Sequence, residues 1–306
     1  MAELKVGRRS VTITHGDRII FPRAKLSKND LIDYYLNIAD VMLPHMKNRL
    51  ITMERFVDGA NHPGFYQKDA SEYFPSWIKT VPVPKKADGV VDYVVCNDTA
   101  TLVYLVNQVT ITFHAWLSKI SKLNFPDRMI FDLDPTVKTF VPVREAARLL
   151  RNMLQDELGL ETFLMTTGSR GLHLVVPIDK KNDFDFVRQF ALDVAQLLVA
   201  RHPQKLTVEI RKAKRGKKIF IDYLRNAFGQ TGVTPYSVRA RPGAPIATPI
   251  EWSELGKMTP NKFTIKNIFK RLSRVADPWE GIEKRVCSLK TARKTLDQLL
   301  LDGDTK

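Results

Sequence analysis

The chain has 306 residues, 44% apolar and 26% charged, enough for an ample core and ordinary for a globular protein. Its 48 Lys and Arg against 33 Asp and Glu leave a net charge of +15, a surplus that favours a polyanionic partner such as nucleic acid through counterion release and steering. Cys96 and Cys287 lie far apart, the N-terminus lacks the apolar core of a secretory signal, and no run approaches the roughly 18 apolar residues of a membrane span, which argues against a disulfide framework, a zinc site and a membrane partner and for a cytoplasmic chain.

Residues 9–21 alternate in polarity as a strand or hairpin does and end at Phe21-Pro22. Ser27, three residues before Asp30, opens an amphipathic helix through L-I-D-Y-Y-L-N-I-A-D-V-M-L with a capping-type start. A strand (51–56), a loop (58–64) and a helix running into a strand (98–119) follow. From 129 the pattern is strand (129–133), helix (142–158), strand (161–166), glycine-bearing loop, strand (172–177) and helix (184–200). Strands at 206–210 and 218–223 then flank the basic segment R-K-A-K-R-G-K-K (211–218), expected as a hairpin tip. Beyond 225 the chain is rich in Pro and Gly, with a short helix near 264–273. With no repeat or low-complexity linker, the expectation is a single domain over 1–306, its N-terminal lobe about 1–125 and its catalytic lobe about 126–300. Strands interleaved with helices, some of them hairpin-linked, favour an α+β fold over a doubly wound parallel sheet.

Chemistry is concentrated in a few stretches. In M-I-F-D-L-D-P-T (129–136), Asp132 and Asp134 stand two apart on a strand and so share a face. Like charges that close favour a cation between them, and hard oxygen donors suit magnesium or manganese. A phosphatase of the haloacid-dehalogenase type opens in the same way, with Asp132 as nucleophile and Asp134 as acid or base. A strand end that caps the loop before Pro135 is the plainer alternative. The phosphatase needs a later lysine and an acidic pair at strand ends, and the late acidic cluster L-D-G-D (301–304) is poorly placed to supply one. In T-T-G-S-R-G-L-H-L-V-V-P (166–177), Gly168 and Gly171 let backbone N–H groups approach a ligand. Thr167 and Ser169 add hydroxyls, Arg170 adds a cationic fork, and His173 begins the next strand. That set suits a polyphosphate, the alternative being an ordinary hairpin turn. In K-I-F-I-D-Y-L-R-N (218–226), Asp222 offers a third carboxylate on a neighbouring strand, and Arg225 follows three residues on. Phe65 and Tyr66 in G-F-Y-Q-K are a stacking platform for bases if exposed and core if buried. Arg18, Lys28, Arg239 and Arg241 are further candidate phosphate ligands.

Taken in order, D-R-I-I-F-P, Y-Y-L-N-I-A-D, L-P-H, G-F-Y-Q-K, F-H-A-W-L-S, F-D-L-D-P, T-G-S-R-G-L-H, I-D-Y-L-R-N, Y-S-V-R-A-R-P-G-A-P-I-A-T-P and D-P-W resemble the polymerase domain of the bacterial DNA ligase D type, a branch of the archaeo-eukaryotic primase superfamily that serves nonhomologous end joining. The similarity runs nearly end to end. It implies a primase-polymerase-like core with two β-sheets flanked by helices and a palm like that of RNA-recognition domains. It also implies template-directed nucleotidyl transfer with a two-metal mechanism (Mn2+ or Mg2+) and a preference for ribonucleotides. By position, Asp132, Asp134 and Asp222 match the catalytic metal-binding triad. His114, Thr167, Ser169, Arg170, Gly171, His173, Arg225 and Arg239 match the nucleotide site. Arg18 and Lys28 match a pocket for the DNA 5′-phosphate, and Phe65 and Tyr66 the pair that stacks on the template. Implied partners are DNA with 5′-phosphorylated gaps or broken ends, NTP or dNTP, Ku protein and an ATP-dependent DNA ligase, in the nucleoid-associated cytoplasm of a prokaryote. No ligase nucleotidyl-lysine segment is legible, so joining is expected from elsewhere. The sequence departs from the family at Thr167 (serine), Arg170 (lysine), Tyr66 (phenylalanine) and Glu54, which replaces a basic residue before Arg55. A DNA-end-binding module with a decayed metal site is the non-catalytic alternative, and three intact carboxylates argue against it.

Overall fold

The computed structural model describes residues 1–85, 88–137 and 139–304, with side chains through 302. In chain order the strands and helices are β1 (Ala2–Val6), β2 (Arg9–Ile13), β3 (Ile19–Phe21), β4 (Leu26–Ser27), α1 (Lys28–Met46), β5 (Leu50–Arg55), β6 (Phe65–Gln67), β7 (Thr80–Pro84), β8 (Val90–Val95), α2 (Thr99–Asn107) and β9 (Thr110–Trp116). They continue as β10 (Arg128–Asp134), α3 (Val141–Arg151), β11 (Phe163–Thr166), β12 (Leu172–Pro177), α4 (Phe184–Arg201), β13 (Leu206–Thr207), β14 (Ile219–Asp222), β15 (Thr231–Val233), β16 (Thr248–Ile250), α5 (Ile268–Leu272) and α6 (Leu289–Asp304). These form two compact units: Met1–Ser121 with Thr231–Thr248 and Phe263–Arg274, and Lys122–Gln230 with Pro249–Lys262 and Val275–Lys306.

The first unit is built on an antiparallel sheet of order β15-β9-β5-β8-β7, with β6 added to β5. Every residue of β9 is buried, as its sequence T-I-T-F-H-A-W permits. Helix α1 starts with a full capping box: the Ser27 side chain accepts from the Asp30 N–H while the Asp30 carboxylate accepts from the Ser27 N–H. Tyr35 on α1 donates to the Ile111 carbonyl of β9 at 2.6 Å, so the helix is tied to the sheet by a buried hydroxyl.

The second unit carries the sheet β13-β14-β10-β12-β11-β16. Its central strand β10 is antiparallel to both neighbours, β12 and β14. Helix α3 packs on β10, β12 and β14, and α4 on β10 and β13. Arg293 of α6 pairs with Asp193 of α4 at 2.5 Å. The mixture of largely antiparallel sheets and helices is the expected α+β class.

Several sequence expectations are corrected in detail. The alternation over 9–21 resolves into β2, which pairs with β1, and a separate β3 that pairs with β4. The expected strand 206–210 shrinks to two residues, and β13 runs parallel to β14 with Leu206 opposite Ile219. The basic segment 211–218 is therefore a loop with a short helical turn, not a hairpin tip, because the chain must come back in the same direction. Helix 142–158 is α3 followed by a wider turn, the Leu158 N–H reaching the Met153 carbonyl five residues back. The hairpin β7–β8 and the helix α6 were not anticipated. The L-D-G-D segment ends α6 and so supplies no acidic pair at a strand end; the Asp304 side chain lies outside the described residues. Among the described residues no helix is long and apolar enough to cross a membrane.

Candidate active site

Strand β10 reads R-M-I-F-D-L-D, buried on both faces except at its ends, and Asp132 is the charged residue in its interior, 6% exposed. Cross-strand register decides what surrounds it: Asp132 lies opposite Asp222 of β14 on one side and opposite His173 of β12 on the other. The expectation that Asp222 occupies the neighbouring strand is met. His173 Nε2 stands 3.4 Å from Asp132 Oδ2. Arg225, on the helical turn after β14, places Nη2 3.6 Å from Asp132 Oδ2 and Nε 3.8 Å from Asp222 Oδ2. The other Asp222 oxygen accepts the Leu224 N–H at 2.8 Å.

The charges are crowded enough to act on one another. Burial, then the Asp132 charge, raises Asp134 above the ordinary carboxylate value against the pull of Arg170. Burial and Asp132 likewise raise Asp222 against Arg225. Three carboxylates with hard oxygen donors, two of them raised by burial and by the charge of the third, fit a divalent cation in donor chemistry. Among the described residues no group of three or more His, Cys, Asp or Glu side chains is closed into a ligand shell, and Arg225 stands beside two of the three carboxylates.

The loop 167–171 is held from within. Thr167 Oγ1 receives the N–H of Gly171 (3.2 Å) and of Ser169 (3.4 Å) and donates to the Gly171 carbonyl (3.2 Å). Those two amides are thus directed at Thr167, which narrows the expected backbone cradle. Gly168 sits at φ +66, which glycine adopts without strain. At Gly171 a Cβ would meet the Leu133 carbonyl oxygen at 2.3 Å, so this glycine is demanded by β10 rather than by a ligand. Arg170 is exposed at the loop tip. Thr136, which in a phosphatase would be part of the motif, donates instead to the Lys218 carbonyl at 3.2 Å as a residue of the turn after β10.

In the first unit, His114 on β9 is buried, its Nε2 3.4 Å from Glu54 Oε2 on β5 and its ring edge-on to Tyr66 at 5.4 Å. Burial alone would raise Glu54, but the hydrogen bond and charge of His114, then Arg239 and Thr112, outweigh it and hold the carboxyl low. From sequence Glu54 stands out only as the replacement of a basic residue before Arg55, and its pairing with His114 is not legible there. Its two-residue offset from Thr52, the cross-strand partner of His114, becomes a signal only once the β5–β9 register is known. Phe65 and Tyr66, on β6, are 46% and 60% exposed and so are not core residues. Arg18 lies 3.7 Å from Asp58. Lys28 is buried, its Nζ donating to the Asn107 carbonyl (3.0 Å) and Thr14 Oγ1 (3.3 Å), and burial followed by the Arg18 charge lowers its pKa to about 8.

A buried aspartate strand flanked by a third carboxylate, a histidine and an arginine, in a chain of net charge +15, fits a nucleotidyltransferase-type enzyme. The LigD primase-polymerase domain family matches residues 27–279, and the chain belongs to that family. It is 31% identical over 266 residues to the bifunctional non-homologous end joining protein LigD of Bacillus subtilis (86% of this chain, 42% of that one). It is 34% identical over 274 residues to the multifunctional protein LigD of Pseudomonas aeruginosa (88% and 32%). The chain thus spans about a third to two-fifths of the length of these curated relatives. Its fold superposes with a TM-score of 0.84 and 29% identity on the polymerase domain of Mycobacterium tuberculosis ligase D, solved in complex with DNA, covering 90% of this chain and 99% of that one.

Proposed function

We propose that the chain performs template-directed nucleotidyl transfer, filling short gaps and extending broken ends during nonhomologous end joining. The observation that carries this is the register pairing of Asp132 with Asp222 beside Asp134, with both flanking carboxyls raised by burial and by Asp132. Asp132, Asp134 and Asp222 would hold two ions, manganese or magnesium. When bound, these supply charge neutralisation and Lewis acidity for attack of a primer 3′-hydroxyl on the α-phosphate of an incoming nucleotide, with pyrophosphate leaving. Arg225 and Arg170 oppose the carboxylates' negative charge and serve as phosphate ligands. Thr167 keeps the 167–171 loop in one shape, Gly171 lets it approach β10, and Ser169 adds a hydroxyl. His173 orients Asp132. His114 and Arg239 in the first unit are assigned contacts to nucleotide, Arg18 and Lys28 to a DNA 5′-phosphate, and Phe65 and Tyr66 to template bases. The relatives' printed names carry non-homologous end joining and one solved relative holds DNA, which supports DNA ends as substrate; Ku, an ATP-dependent ligase and a prokaryotic cytoplasm are assigned on the family resemblance alone.

The test is extension of a gapped, 5′-phosphorylated duplex, comparing NTPs with dNTPs and manganese with magnesium. Wild type is expected to extend, with NTPs preferred, and Asp132→Ala and Asp134→Ala to lose extension while still binding the duplex. Alanine variants that extend as well as wild type would overturn the metal assignment.

A further inference from the structure

The first unit carries a run of aromatic and guanidinium groups that begins at the proposed template platform and that no role assigned so far uses. Arg55 lies over the Phe65 ring at 5.7 Å and donates to the Tyr73 hydroxyl at 3.2 Å, to Gln67 Oε1 at 2.5 Å and to the Gln108 carbonyl at 2.8 Å. Four partners fix that guanidinium, and it in turn fixes Tyr73, which is 60% exposed. Tyr73 meets Phe74 edge-on at 5.2 Å, Phe74 meets Tyr104 at 5.4 Å, and Tyr104 meets Trp77 at 5.8 Å. Arg9 then covers the Trp77 ring at 4.5 Å while pairing with Asp98 at 3.3 Å. Arg9 also lines an open cavity of about 580 Å3 between the β1–β2 turn and the start of α2, whose rim carries Lys5 and Arg8. Lys5 and Arg8 are exposed and engage no ion pair among the described residues.

We propose that this run is a track for single-stranded nucleic acid, in which Tyr73 is a third stacking ring beyond Phe65 and Tyr66 and the Lys5–Arg8–Arg9 cavity takes the backbone phosphates farther along. The inference rests on the reading of Phe65 and Tyr66 as the template platform and extends it. An exposed tyrosine usually retains its rotamer freedom; one tethered by a guanidinium that is itself held by several acceptors is already ordered, so a base stacks on it at little further entropic cost. Aromatic faces interleaved with arginine and ending in uncompensated cationic side chains match a strand whose bases stack while its phosphates repel one another. A pocket for an acidic peptide would need the cations and not the rings.

The probe is a labelled primer–template whose template strand continues unpaired past the primer end, compared with the same duplex without that extension, by fluorescence anisotropy. An extension of about eight thymidines is expected to tighten wild-type binding, and Tyr73→Ala to lose roughly 10-fold of the gain, the scale of one base–aromatic stack. Tyr73→Phe, which retains the ring without the Arg55 bond, should retain most of it. Lys5→Glu with Arg8→Glu should reduce the salt slope for the extended probe by about two. Thermal melts of each variant identify unfolding, and Tyr73→Phe keeps the ring test available if Tyr73→Ala does not fold. If Phe65→Ala and Tyr66→Ala weaken binding but the Tyr73 and Lys5–Arg8 variants hold the extension as wild type does, the track is wrong and the platform stands. If Phe65→Ala and Tyr66→Ala also bind as wild type does, the platform reading fails and the track with it. Loss of gain only in the Lys5–Arg8 variant, accompanied by binding of a poly-glutamate peptide, would make the cavity an acidic-peptide site and overturn the track.

Discussion

At the scale of single residues the site is organised against its own stability. Asp134 and Asp222 are raised above the ordinary carboxylate value by burial and by Asp132, so the folded chain binds protons more readily than the unfolded one between the ordinary and the raised value. Stability from these groups is therefore greatest at low pH and is lost as pH rises through that window, the reverse of the usual salt-bridged aspartate. Asp134→Asn removes the repulsion at the cost of a metal ligand. The metal-free variant is expected to melt higher than wild type, by roughly 0.5–2 kcal/mol, the usual scale for relieving a functional site. Manganese should then raise the melting temperature of wild type more than that of the variant. A variant that melts lower without metal would show that the carboxylates are not in conflict. Lys28 makes the opposite case. Its pKa is lowered to about 8 by burial and by Arg18, so the cost of its charge is present below that value and vanishes as pH rises toward 10.5. A 5′-phosphate needs the charged form. Discrimination between phosphorylated and unphosphorylated gaps should be flat below about pH 8 and fall above it, with proton uptake on binding just above that pH. Calorimetry in buffers of different ionisation enthalpy measures the proton, and Arg18→Ala with Lys28→Ala should abolish both effects.

At the scale of elements the fold depends on pairings that join distant residues. Asn226 ends the turn after β14 with no exposed surface, its Oδ1 accepting the Ile130 N–H at 2.8 Å and its Nδ2 donating to the Ile130 carbonyl at 2.7 Å. That side chain substitutes for a ladder partner at the edge of β10 where β14 has already ended, and so holds the Arg225 turn beside Asp132. Asn226→Ala leaves both Ile130 groups without this partner and should cost about 3 kcal/mol, the penalty for buried unsatisfied amide groups, together with loss of nucleotide extension. Asn226→Asp, which as a carboxylate accepts from Ile130 N–H but faces the Ile130 and Tyr223 carbonyls, should cost at least as much. Denaturant unfolding of the variants provides the measurement. The sequence made local patterns legible: α1 with its Ser27–Asp30 cap, β10, the glycine loop and β12 are where periodicity and turn chemistry place them. It did not reveal the parallel β13–β14 pair, because a two-residue strand has no period to read. Nor did it pair Glu54 with His114, since 60 residues separate them and only the β5–β9 register brings them together. Of the site, the three carboxylates were legible because they interrupt apolar runs, and Asn226 was not, because an asparagine after Tyr-Leu-Arg reads as a turn until its buried bonds are seen.

At the scale of the whole molecule the charge of +15 is a property that no single site accounts for. Three carboxylates on β10 and β14 are the wrong sign for DNA, so the phosphate-binding free energy must come from cations elsewhere. Candidates are spread along the chain: Lys5 and Arg8 at the first turn, Arg18 and Lys28 in the proposed phosphate pocket, and six basic residues in the loop 211–218. Each phosphate so neutralised releases condensed counterions, and the number released sets the slope of log affinity against log salt. If about six phosphates are contacted, affinity for a gapped duplex should fall roughly 1,000-fold between about 50 and 200 mM salt. Charge reversal at Lys212 and Lys214, in the loop, should lower the slope by about two and weaken binding to any sequence alike, because phosphate contacts carry no base readout. The 5′-phosphate preference should survive that change, since it depends on Arg18 and Lys28 and not on the loop. Equilibrium titrations at several salt concentrations, with phosphorylated and unphosphorylated gaps side by side, separate the two contributions. A slope near zero in wild type would mean that the basic surplus solvates the chain and does not hold DNA.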